Sequence, residues 1–110
     1  MNRLEHILTI TAEECNEVAQ RITKSLRFGL LNIEEGQEDT NLARILEEYT
    51  DLVTMLEMLE TELKNSNDEN LKSQTLNLRE IHRKRYVKKQ GKKNRVEEYL
   101  KISKREGTLD

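Results

Sequence analysis

Residues 3–28 read RLEHILTITAEECNEVAQRITKSLRF, and the spacing within this stretch decides the fold class. Leu4, Leu8, Thr11, Cys15, Val18, Ile22 and Leu26 recur at steps of three and four residues, which puts them on one stripe of a helix. Gly29 is placed to stop it. Residues 30–40, LLNIEEGQEDT, lose the periodicity and contain Gly36, so they read as a loop of a length that is often functional. Thr40 or Asn41 caps a second helix running to about Lys64, with Leu42, Ile45, Leu46, Tyr49, Leu52, Val53, Leu56 and Leu63 as its stripe.

Beyond the polar linker 65–70, NSNDEN, a third helix is expected over about 70–89, with Leu71, Leu76 or Leu78, Ile81 and Tyr86 as apolar points. Gly91 is expected to interrupt it, and a fourth helix follows over about 93–105 with Val96, Tyr99, Leu100 and Ile102. The expectation is a single all-α domain over 1–110. It is an antiparallel bundle of about four helices in which 3–28 and 41–64 form the working hairpin and 70–105 the basic rear.

Composition supports this reading. Proline is absent and only four glycines occur in 110 residues, so helix breakers are few and a turn-rich β architecture is disfavoured. Hydrophobic residues make up 35% and charged residues 36%, a balance suited to thin amphipathic helices that bury their last apolar strip against a second subunit. A homodimer or homotetramer is therefore expected. Cys15 is the only cysteine, which excludes an internal disulfide and fits the cytoplasm. No apolar run approaches the roughly 20 residues of a membrane span, and no signal-peptide pattern opens the chain.

The net charge of −2 conceals a polarity: residues 1–78 carry 16 acidic and 7 basic side chains, residues 79–110 carry 5 and 12. Opposite halves of this kind attract one another.

Two acidic patterns stand out: Glu13-Glu14-Cys15-Asn16-Glu17 in the first helix and Glu48-Tyr49-Thr50-Asp51 in the second. Carboxylates three apart share a helix face and repel unless a cation lies between them. Cys15 and Tyr49 sit near the middle of their stripes and read as core positions. At about 100° per residue, Glu14 and Glu17 take the same angles relative to Cys15 as Glu48 and Asp51 take relative to Tyr49. Each pair thus flanks the same edge of its stripe. An antiparallel hairpin brings matching edges to one side, so the four carboxylates converge beside the seam. Oxygen-only ligation suits Mg²⁺, with Mn²⁺ as the alternative, and does not suit zinc.

These residues resemble a known family. EExxE followed by ExxD is the signature of the all-α nucleoside triphosphate pyrophosphohydrolases, the MazG-like superfamily, and here it reads EECNE at 13–17 and EYTD at 48–51. KSLRFGL at 24–30 resembles the segment after the first motif in small members, phage-encoded ones included. KKNRVEEYLKISKREG at 92–107 resembles their basic C-terminal helix. The 30 residues between Glu17 and Glu48 are slightly more than usual for the family, a departure that touches the loop rather than the site.

The resemblance implies that Glu14, Glu17, Glu48 and Asp51 ligate Mg²⁺, and that Glu13 assists Glu14 in catalysis through a second metal or by orienting the attacking water. It also implies that a nucleoside triphosphate is split into the monophosphate and pyrophosphate, in the host cytoplasm if the chain is phage-encoded. Lys24 and Arg27 are candidates for phosphate contact, with surface charge near a helix C-terminus as the plain alternative. Lys92, Lys93 and Arg95 are candidates for reaching phosphates bound by a neighbouring subunit, against a solvated basic face. Phe28 reads as an anchor of the helix end, with base stacking as the other reading. His6 and His82 carry no ligand-like spacing.

Two rival functions compete with this reading. Nucleic-acid binding through the basic residues of 79–105 has electrostatics in its favour. It lacks aromatic interleaving and any recognised DNA-binding motif, and it contends with an acidic front half. A structural helical adaptor or coiled coil is opposed by the absence of a strict heptad across the chain.

Overall fold

The structure is a computed structural model that describes the backbone of all 110 residues and the side chains of all but Leu76, Leu78 and Arg79. It is all-helical. Among the described residues three helices appear, α1 (Arg3–Phe28), α2 (Asn41–Lys64) and α3 (Glu69–Arg105). The chain divides into two units, Met1–Asn67 and Asp68–Asp110. No helix among the described residues is long and apolar enough to cross a membrane.

The first unit is an antiparallel hairpin of α1 and α2. Each helix begins on a side-chain cap: the Asn2 Oδ1 accepts from the Glu5 backbone N–H at 2.8 Å, and the Thr40 Oγ1 from that of Ala43 at 3.1 Å. Thr40, not Asn41, is thus the cap of α2. α1 ends where Gly29 takes φ 98°, a conformation that L side chains rarely adopt, while its N–H still donates to the Ser25 carbonyl at 2.8 Å.

The connecting segment 29–40 is an irregular but closed loop. Ile33 and Thr40 form an isolated antiparallel bridge, and the Asn41 N–H donates to the Asn32 carbonyl at 2.9 Å. The Asn41 side chain, 2% exposed, donates from Nδ2 to the Gly29 carbonyl at 2.9 Å and so ties the end of α1 to the start of α2. At the far end of the hairpin, Arg3 Nε meets Glu62 Oε2 at 2.8 Å.

The seam between the helices follows only one edge of the apolar stripes expected from the sequence: Leu4, Thr11, Val18, Ile45, Leu52, Val53 and Leu63 are buried or half-buried, and the rest of each stripe is not. On α1 the buried and half-buried positions are Leu4, Ile7, Thr11, Glu14, Glu17, Val18, Arg21, Lys24 and Ser25. On α2 they include Asn41, Ile45, Glu48, Leu52, Met55, Leu59 and Glu62. Cys15 and Tyr49, expected in the core, are exposed. Leu8, Ile22, Leu26, Leu42, Leu46 and Leu56 are exposed with them, and so is Phe28.

The physical reason is the width of the stripe. One neighbouring helix covers only a narrow strip, and at about 100° per residue the expected bands span roughly 80° on α1 and roughly 120° on α2. The seam takes the edge that carries the acids and leaves the remainder in view. Because the displacement has the same sense on both antiparallel helices, the exposed residues of the two stripes lie on one side of the hairpin and the acidic edges open on the other.

The second unit is α3, capped by the Asp68 side chain, which accepts from the N–H groups of Asn70 (2.9 Å) and Leu71 (3.3 Å). The interruption expected at Gly91 does not occur, and the segments expected as third and fourth helices are one helix of 37 residues. A single interior glycine costs about 1 kcal/mol relative to alanine, and the lysine, arginine, glutamine and glutamate around it favour helix. Ion pairs one turn apart, such as Lys84 to Glu80 (3.5 Å) and Lys101 to Glu98 (3.2 Å), add support. The apolar points expected at Leu76 or Leu78 lie outside the described side chains.

Candidate metal centre

The hairpin register places the acidic motifs opposite each other at mid-length. One carboxylate oxygen each from Glu14, Glu48 and Asp51 lies within 4.8 Å of the others. Glu14 and Glu48 are half-buried and Asp51 is exposed, so the group opens outward from the seam. Glu17, the fourth expected ligand, is half-buried one turn beyond Glu14 and outside this group of three. Its charge still acts on Glu48. Glu13 is exposed.

Electrostatics make this cluster costly by itself. Burial raises the Glu48 carboxyl above the ordinary glutamate value. A hydrogen bond with Glu14 and the negative charges of Glu14, Glu17 and Asp51 push the same way. Glu14 Oε2 is buried without a hydrogen-bond partner. A carboxylate with one buried, unsatisfied oxygen, grouped with two further carboxylates, is a donor set suited to a hard divalent cation. The residues present thus fit Mg²⁺ or Mn²⁺, by the chemistry of an all-oxygen set.

A second polar group lies on the loop-side end of the same seam, and reading the sequence missed most of it. The Glu34 carboxylate receives Arg44 Nη1 at 2.7 Å and Lys24 Nζ at 3.4 Å, with Arg21 Nη1 at 3.6 Å. Arg44 and then Lys24 hold the Glu34 carboxyl below its ordinary value. A cavity of about 230 Å³ adjoins them, lined by Lys24, Phe28, Asn32, Ile33, Glu34, Glu35 and Asn41. The signal available in the sequence was spacing: Arg21 lies two turns from Glu14 on the same face, and Arg44 one turn from Glu48.

Of the other expected contacts, Arg27 is exposed with its guanidinium 5.1 Å from the Phe28 ring centroid. Lys92, Lys93 and Arg95 are exposed on α3, in the second unit.

Comparison with protein-family models, with curated proteins and with solved structures finds no match for this chain.

Proposed function

We propose that the protein is a Mg²⁺-dependent hydrolase that splits a nucleoside triphosphate into the monophosphate and pyrophosphate. The observation that carries this reading is the meeting of the Glu14, Glu48 and Asp51 carboxylates from two helices, with one Glu14 oxygen buried and unsatisfied. Its support also includes the EExxE and ExxD motifs and their resemblance to the all-α pyrophosphohydrolases.

Glu14, Glu48 and Asp51 hold the ion, and Glu17 adds negative charge beside them. A divalent cation held there would offset the charge of the phosphate chain and lower the pKa of a bound water, so that hydroxide would be available as the nucleophile at neutral pH. Glu13, on the exposed side of α1, orients that water. Lys24 offers a positive charge to the phosphates from two turns beyond Glu17. Holding the two helices in register supplies positioning, which is a large part of phosphoryl-transfer catalysis.

The exposed apolar side chains of the hairpin, Leu8, Ile22, Leu42, Leu46 and Tyr49 among them, support a homo-oligomer, because clustered exposed apolar residues mark interaction surfaces. The acidic cluster lies at the opposite edge, so such assembly leaves it open.

The test is incubation with Mg²⁺ and each common ribo- and deoxyribonucleoside triphosphate, with identification of the products. Monophosphate plus pyrophosphate is expected. Glu48→Gln and Asp51→Asn are expected to lower turnover by at least about a hundredfold while leaving helix content unchanged. Wild-type turnover by either variant, or stepwise release of inorganic phosphate, overturns the reading.

A further inference from the structure

We propose that Arg21, Lys24 and Arg44 form a diphosphate-binding site, and that the Glu34 carboxylate is a tethered competitor filling it until the ligand arrives. The inference rests on the triphosphate reading for the origin of its ligand, and it concerns a different part of the hairpin from the carboxylate cluster.

The charges in this group do not balance. Three cations converge on one carboxylate, leaving two positive charges uncompensated within the group. Counting Glu35, which also lines the cavity, still leaves one. Arg21 is also short of hydrogen bonds. The Arg21 side chain is only 10% exposed, and its Nε and Nη1 lack hydrogen-bond partners. A buried guanidinium 3.6 Å from a carboxylate is near its counter-charge without being well bonded to it. A phosphate group, with more charge and more acceptor oxygens than a carboxylate, can engage Arg21 and Arg44 together in the bidentate manner that guanidinium favours.

Glu34 stands on the irregular 29–40 loop and its side chain is 44% exposed, so it can leave without unpacking either helix. Arg21 and Arg44 are anchored on α1 and α2 and remain behind. Their helix faces also carry Glu14 and Glu48, two turns and one turn away, so a diphosphate held here lies along the seam toward the carboxylates.

A tethered carboxylate competes at an effective concentration on the order of millimolar. It therefore turns away weak monoanions and yields to a diphosphate. The ligand is the substrate's own phosphate tail or released pyrophosphate, which share this chemistry.

The experiment is calorimetric titration of the full chain with pyrophosphate, and separately with a nucleoside triphosphate, in EDTA. Glu34→Gln is expected to tighten pyrophosphate binding roughly tenfold. Arg44→Gln and Lys24→Gln are expected to weaken it by a similar factor. A gain shared by the nucleotide assigns the site to the substrate's tail, and a gain confined to pyrophosphate assigns it to the product. Unchanged affinity in a folded Glu34→Gln variant, or full affinity in Arg44→Gln, overturns the proposal.

A second measurement uses the wild-type protein. The Glu34 side-chain carboxyl, followed by carbon NMR, should lose its depressed ionisation when pyrophosphate is added. A carboxyl that stays depressed at saturation also overturns the proposal. Since no metal is present, failure here leaves Mg²⁺-dependent hydrolysis standing. Conversely, pyrophosphate binding without any hydrolysis sinks the catalytic reading and not this one.

Discussion

Glu14 and Glu48 face each other across the α1–α2 seam with carboxylate oxygens no more than 4.8 Å apart, and burial, followed by the pairing with Glu14, raises the Glu48 carboxyl above its ordinary value. Two acids at the centre of a helix–helix contact are a liability to the fold and an asset to a cation. Most of what can be tested about this protein follows from that opposition.

The metal-free protein should lose stability at this site as pH rises. A carboxyl whose folded-state pKa is raised contributes stability that is complete below its unfolded-state value, near 4.5, and is lost as pH climbs through the folded-state value. Thermal melting in EDTA from pH 4.5 upward should show this decline, and Glu48→Gln should flatten it. Saturating Mg²⁺ should reverse it at neutral pH, by about 2.7 kcal/mol at a hundred times the dissociation constant. A wild-type profile identical to that of Glu48→Gln would contradict the placement of these acids.

Asn41 is expected to be the main fastener of the loop. Asn41→Ala leaves the Gly29 carbonyl without its side-chain donor and should cost about 1–3 kcal/mol in urea denaturation. Asn41→Asp retains the shape but cannot donate to a carbonyl, so it should lose a comparable amount. Wild-type stability in both variants would show that the backbone bonds of the loop suffice.

Helix α3 runs through Gly91, where an added Cβ would meet only the Arg95 side chain at 3.5 Å. Gly91→Ala should therefore stabilise α3 by about 0.5–1 kcal/mol, seen as higher helix content on heating by circular dichroism. A loss of helix would mean that the glycine marks a bend the protein uses.

The apolar side of the hairpin should be covered by a second copy in solution. Leu46 and Tyr49, each 58% exposed, lie centrally on it. Light scattering of the wild type should give at least a dimer mass. Leu46→Glu or Tyr49→Glu should lower that mass and make melting independent of protein concentration. A monomeric wild type at high concentration would remove the assembly from the proposal.

Sequence periodicity was enough to determine helix identity and ends over 3–28 and 41–64, because amphipathic spacing and the Thr40 and Gly29 punctuation are local properties. It was also enough to bring the EECNE and EYTD motifs together, since an antiparallel hairpin with a central loop pairs them by symmetry. Only tertiary structure decided which edge of each wide apolar stripe enters the seam, and so put Glu14 and Glu48 inside while Cys15 and Tyr49 stayed outside. It alone drew Arg21, Arg44 and Glu34 into one group, because a loop of twelve residues has no periodicity from which its side-chain directions can be read. Short-range spacing dictates each helix, but the rotation of one helix against another depends on packing partners distant in the chain.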